Sequence, residues 1–122
     1  GMNGRGVRFE GCRRLDARRF RLTASVDASS SFFDGHFPGR PVLSAVAQLA
    51  LVEEACERAL GRVRTPKGVP YARFRRPIGP NENLAITLIA RGDAVDFAIE
   101  VGGETASRGR WTLEAEVVEA DA

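Results

Sequence analysis

Leu43-Ser44-Ala45-Val46-Ala47-Gln48-Leu49-Ala50-Leu51-Val52 is the stretch that decides the fold. It is rich in helix formers and apolar on almost every side, and a helix that is apolar all round is a buried one. Ser44 is placed to cap its start. Glu53, Glu54, Glu57 and Arg58 then open a polar face, and Gly61 is a good stop. The spacing predicts one long helix over residues 44–60, with enough alanine to let a sheet approach it closely.

Outward from that helix the period changes from 3.6 to 2. Upstream, Phe20, Leu22, Ala24 and Val26 alternate with Arg21, Thr23, Ser25 and Asp27, the pattern of a half-buried strand. Val7 and Phe9 suggest a shorter strand before it, with a turn over residues 14–17. Downstream, residues 62–70 contain Thr65-Pro66-Lys67-Gly68 and read as a connecting loop. Four strands follow, over residues 69–77, 84–91, 95–101 and 106–118. Arg91-Gly92-Asp93 and Gly102-Gly103-Glu104 supply hairpin turns. One buried helix wrapped by about six mostly antiparallel strands is an α+β architecture.

The chain has 122 residues, a length that suits one domain over 1–122; Gly1 before Met2 reads as a tag remnant. No apolar run approaches the ~20 residues that span a membrane, and no signal peptide opens the chain, so a cytoplasmic protein is expected. Cys12 and Cys56 do not make a disulfide framework or a metal-like spacing, and neither metal nor cofactor is expected. Formal net charge is +2, which does not point to nucleic acid. Of the 18 basic residues 17 are arginine, crowded before residue 22 and again at Arg73, Arg75 and Arg76. A solvated strand face accounts for the first cluster.

Just before the helix lies Phe32-Phe33-Asp34-Gly35-His36-Phe37-Pro38-Gly39-Arg40-Pro41. His36 is the only histidine of the chain. Histidine is the side chain that takes or gives a proton near neutrality, and this one follows an aromatic pair and a glycine and precedes a proline turn. A lone histidine is usually structural; this context points to chemistry instead. The stretch resembles the active-site segment of the hot-dog 3-hydroxyacyl-acyl-carrier-protein dehydratases of fatty acid synthesis. Tyr71-Ala72-Arg73-Phe74-Arg75-Arg76-Pro77-Ile78-Gly79-Pro80, followed by Asn81-Glu82-Asn83-Leu84, resembles a second segment of that family. The two lie in the family's order with a helix-sized piece between them.

The resemblance implies a hot-dog fold, a two-fold homodimer or a higher oligomer of dimers, and an acyl thioester substrate on acyl carrier protein or coenzyme A. It implies His36 as the general base. It also implies an oxyanion site of backbone N–H groups at Ser44, Ala45 and Val46, where a helix dipole favours negative charge. Phe33, Phe37, Gln48 and Ala50 fall in the substrate tunnel, and Arg73, Arg75 and Arg76 near its mouth, where an acidic carrier protein would dock. Two departures stand out. Ser44-Ala45 replaces the family's Pro-Gly. The family's helix acid falls at Ala50, which has no proton to donate. Glu53, three residues on, shares that helical face and is a candidate substitute. Three functions therefore stay open: a dehydratase, a binding subunit that partners a catalytic homologue, and a hot-dog thioesterase.

Overall fold

The computed structural model describes residues 6–34, 39–61 and 66–113. Among these residues six strands form one sheet: β1 (Val7–Arg14), β2 (Arg19–Val26), β3 (Pro66–Phe74), β4 (Leu84–Arg91), β5 (Ala94–Val101) and β6 (Glu104–Leu113). Their order is β1-β2-β4-β5-β6-β3, and every pairing is antiparallel. The one α-helix among the described residues, α1 (Ala45–Leu60), lies between β2 and β3 in the chain and packs chiefly over β1, β2 and β4. This is the hot-dog arrangement, with β1 and β3 as the edge strands.

The alternation read in the sequence builds the core. Leu22, Ala24 and Val26 of β2, Leu84, Ile86 and Leu88 of β4, and Val95, Phe97, Ile99 and Val101 of β5 are all buried. Successive side chains point to opposite faces of a strand, so these residues line one face and meet α1 there. The helix supplies Ala47, Leu51, Val52, Ala55 and Cys56. Hairpin β4–β5 turns at Gly92 and Asp93, with Gly92 at φ 63°. Hairpin β5–β6 turns at Gly102 and Gly103, at φ 58° and 84°, which suits the twist of the flanking strands.

The structure corrects several of the sequence readings. The helix is not buried all round: Val46 is 77% exposed, and Glu53 and Glu57 are exposed on the same side. One helix has one sheet to lie on, so only a stripe of it can be covered. The segment 62–70 is not all loop, since β3 begins at Pro66 and ends at Phe74, before residue 77. Its pairing with β6 is irregular between Pro66 and Tyr71, which an edge strand tolerates and which lets proline and glycine take part. The first strand is longer than Val7 and Phe9 suggest, because a bulge between Phe9 and Cys12 carries it on to Arg14. The turn after it shifts with it: Leu15 and Asp16 N–H both donate to the Arg19 carbonyl. The last strand starts at Glu104, and residues 114–118 of the expected strand lie outside the described residues.

Both ends of α1 follow the sequence. Ser44 is the N-cap, its Oγ accepting from the Ala47 N–H at 3.0 Å. Gly61 closes the other end at φ 84°, its N–H donating to the Glu57 carbonyl at 2.9 Å. Arg58 in the last turn pairs with Glu54 at 3.0 Å and lies over the Phe9 ring, tying the exposed flank of the helix to β1.

Two substitutions test this account. Ser44→Ala removes an acceptor for a helix N–H and should cost about 1 kcal/mol in urea denaturation. Gly109→Ala places a methyl 2.6 Å from the Tyr71 carbonyl, 2.8 Å from Phe97 Cζ and 2.9 Å from Ala72 Cα. Two of those neighbours are backbone and cannot swing away. The expected loss is about 1–3 kcal/mol, read from the same denaturation curves.

Candidate active site

Two segments that are far apart in the sequence meet at the start of α1. The Leu43 N–H donates to the Ile78 carbonyl at 2.9 Å, and the Leu43 carbonyl accepts from Gln48 Nε2 at 3.3 Å. Leu43 is 4% exposed and Ile78 is fully buried, so the joint sits inside the protein. Both polar groups of Leu43 are satisfied there, as a buried backbone requires. The residue that precedes the helix cap is thus held from two sides.

Residues 75–83, which lie within the second family-like segment, form the brace. Arg75 and Arg76 N–H groups both donate to the Ala106 carbonyl, at 2.7 and 3.2 Å. The Arg76 guanidinium reaches Glu104 at 3.1 Å, the Pro77 carbonyl at 3.0 Å and Glu82 at 3.2 Å. Glu82 also accepts from the Gly79 N–H at 2.8 Å, and the Asn81 N–H closes onto the Val26 carbonyl at 2.8 Å. Asn81 stands at φ 62°, a left-handed conformation that asparagine adopts more readily than most residues. Arg76 is therefore committed to the carboxylates of Glu82 in the loop and Glu104 at the start of β6. Arg73 and Arg75 are exposed. The sequence reading passed over Glu82; its signal was a carboxylate following an Arg-Pro-Ile-Gly-Pro turn.

On the other side of His36, a short 3-10 turn over Ser31–Phe33 is seated by Phe33, 8% exposed, and by Ser30, 3% exposed. Ser30 Oγ accepts from the Phe32 N–H at 3.0 Å, and the Asp34 N–H donates to the Ser31 carbonyl at 3.0 Å. His36 and Phe37 lie outside the described residues. The described residues on either side of them, Asp34 and Gly39, lead directly to these two anchors.

Around α1 the candidate residues separate by face. Ala45 and Val46 are exposed at the first turn, where the leading N–H groups have no carbonyl within the helix to bond. Ala50 is half-buried and Glu53 exposed, on the same side as Val46. Gln48 is two residues before Ala50, about 200° round the helix, and is 2% exposed against the sheet. The structure does not bring Gln48 together with Ala50 and Glu53. Instead Gln48 holds Leu43, and its Oε1 is buried with no hydrogen-bond partner among the described residues. Cys56, one turn beyond Val52, has its thiol pushed up to about 12 by burial and then by the nearby Glu53 carboxylate. It is a core residue and no nucleophile.

Known proteins resemble this arrangement at several levels. A 3-hydroxyacyl-[acyl-carrier-protein] dehydratase FabZ of Thermus thermophilus is 38% identical over 97 residues, 71% of this chain and 64% of its own length. The chain thus spans a little under two thirds of that curated relative. Among solved structures, the dehydratase heterocomplex ApeI:P from Xenorhabdus doucetiae superposes with a TM-score of 0.76. That match is 21% identical and covers 85% of this chain and 94% of the other, which shows a shared fold. An uncharacterized protein from Erwinia carotovora gives a TM-score of 0.71 at 28% identity, over 85% of this chain and 90% of its own. A family model described as ApeI-like, ApeI dehydratase, matches residues 12–110, a span that takes in both anchoring segments and the whole of α1. The chain belongs to the ApeI-like dehydratase family.

Proposed function

We propose that this chain acts on 3-hydroxyacyl thioesters, carried on acyl carrier protein or coenzyme A, as a dehydratase of fatty acid or related lipid biosynthesis. The observation that carries the reading is the joint at Leu43. It ties the segment that follows His36 both to the brace loop and to the capped start of α1. The N–H groups proposed as the oxyanion site are thereby held on a braced unit that follows the proposed base closely in the sequence, which supports the reading that both act on one substrate.

The chemistry follows from the residue types. His36 in its neutral form takes the proton from the carbon beside the thioester carbonyl. Negative charge builds on the carbonyl oxygen, and the Ala45 and Val46 N–H groups stabilise it at the positive end of the helix. The bond from the third carbon to its hydroxyl breaks, the hydroxyl leaves with a proton as water, and a 2,3-unsaturated thioester remains. The proton for that hydroxyl needs a donor, and Ala50 is none. Glu53 is the carboxyl on the same helical face, exposed to solvent or to a second subunit.

A second reading has a specific observation in its favour. With Ala50 where the family carries its acid, and Val46 standing 77% exposed beside it, the chain fits a subunit whose acid comes from a homologous partner. In both readings the helix face and the edge strands β1 and β3 are paired across a two-fold axis, in a cytoplasmic homodimer or heterodimer.

Turnover of 3-hydroxyacyl and saturated acyl thioesters by the purified chain tests both readings. Water loss from the first is expected, and hydrolysis of the second would mark a thioesterase instead. His36→Ala should lower dehydration by roughly 10²–10⁴-fold. Ala50→Glu should raise it if the acid has been lost, and Glu53→Gln should match His36→Ala if Glu53 has taken the role. No turnover in any variant, with a homologue co-purifying from the native source, would favour the subunit reading over the enzyme.

A further inference from the structure

The peptide unit that enters α1 is set by a side chain. In a longer helix the Ala47 N–H would close on the Leu43 carbonyl, four residues back. Here Ser44 Oγ takes that N–H at 3.0 Å, and the Gln48 side chain stands in, its Nε2 donating to the Leu43 carbonyl at 3.3 Å. Gln48 also donates its own N–H to the Ser44 carbonyl at 3.0 Å. The two peptide units that flank Ser44 are therefore both held by one residue.

That hold fixes a direction. The Leu43–Ser44 peptide is trans, so its C=O and N–H point opposite ways. Gln48 draws the Leu43 carbonyl up the helix, and the Ser44 N–H points back past the helix start. The Ala45 and Val46 N–H groups take the same direction, as helical N–H groups do. No acceptor for the Ser44 N–H stands among the described residues. A capping box would supply one from a glutamate at position 47, and Ala47 has none to offer.

Stability does not account for the arrangement. Gln48 is 2% exposed, and its Oε1 is buried with no partner among the described residues. An apolar side chain would leave the Leu43 carbonyl unpaired; Gln48 pairs it and leaves its own oxygen unpaired. One buried orphan is exchanged for another at similar cost. What the exchange brings is an aligned donor. The family resemblance sets proline at position 44, and proline has no N–H. The donor is thus a property of this chain's own sequence.

We propose that Gln48 is a positioning residue for the thioester site: it aligns the Ser44 N–H as a third hydrogen-bond donor to the thioester oxygen, beside those of Ala45 and Val46. The inference rests on the dehydratase reading of that turn. Charge builds on the oxygen as the proton leaves the neighbouring carbon, so a third donor acts on the transition state more than on the bound substrate. It favours removing that proton before the hydroxyl departs, the step that does not call on the acid missing at Ala50.

Ser44→Pro and Ser44→Ala together isolate the N–H. Both lose the capping hydroxyl, and only proline loses the donor. Ser44 sits at φ −70°, which proline adopts without strain. Ser44→Pro should therefore melt at or above Ser44→Ala. Its kcat on a 3-hydroxyacyl thioester should nevertheless be lower by at least about tenfold, at similar KM. Gln48→Met should lower kcat in the Ser44→Ala background and add little in the Ser44→Pro background, where no N–H is left to aim. In an NMR titration of wild type, crotonyl-pantetheine, the thioester portion common to both carriers, should move the Ser44 amide proton downfield. If wild type turns substrate over and the proline and alanine variants share one kcat, this inference falls and the dehydratase reading stands. If wild type is inert and the Ser44 amide still moves, the reverse holds. An unmoved Ser44 amide overturns the inference whatever the kinetics, and equal losses from Gln48→Met in both backgrounds would remove Gln48 from it.

Discussion

Among the described residues a single α-helix has to satisfy a six-stranded sheet, and that mismatch governs how they pack. The buried stripe of α1, Ala47, Leu51, Val52, Ala55 and Cys56, is narrow and made largely of small residues. Small side chains let the helix sit close to β1, β2 and β4, where Leu22, Ala24, Leu84, Ile86 and Leu88 fill the space. Because interiors pack at crystal-like density, the helix has little freedom to slide or roll on that bed. The position of its first turn is therefore set by the core, and so is everything fastened to it.

What is fastened to it is the joint at Leu43. A backbone N–H and a carbonyl buried at the same residue must both be paired, since an unpaired one costs about 1–3 kcal/mol. Ile78 supplies the acceptor and Gln48 the donor. The residue types follow from that need: a buried polar side chain on the core face of the helix, and a loop pulled in far enough to present a carbonyl. The loop in turn stays put because Arg76, Glu82 and Glu104 tie it across to β6. An arginine that the family resemblance sets near the tunnel mouth is here a structural clamp.

Charge is divided between the two sides of the molecule more sharply than a net value of +2 suggests. The outer face of the sheet carries Arg13, Arg21, Arg73, Arg108 and Arg110 against Asp96 and Glu100, while the exposed side of α1 carries Glu53 and Glu57. A strand displays one residue in two on its outer face, so alternate arginines in separate strands add up to one basic surface. The same geometry keeps them away from the helix, whose start favours negative charge for its own reasons.

The elements and their order were legible in the residues themselves, because period 2 and period 3.6 are local properties that burial on one face imposes directly. Phe20 to Val26, Leu84 to Arg91 and the cap at Ser44 show this, and so do the glycines at both hairpin turns. The motif around His36 and the brace segment were likewise visible as types in an order. What the residues did not disclose was anything that depends on which strand lies beside which. An early strand such as β2 pairs with β4 rather than β3, and the basic outer face exists only through that pairing. Nor did composition tell that Gln48 turns inward to hold Leu43 while Val46 and Ala50 turn outward. Helical period makes faces, but only the sheet decides which face is covered, since burial is a property of the neighbour as much as of the residue.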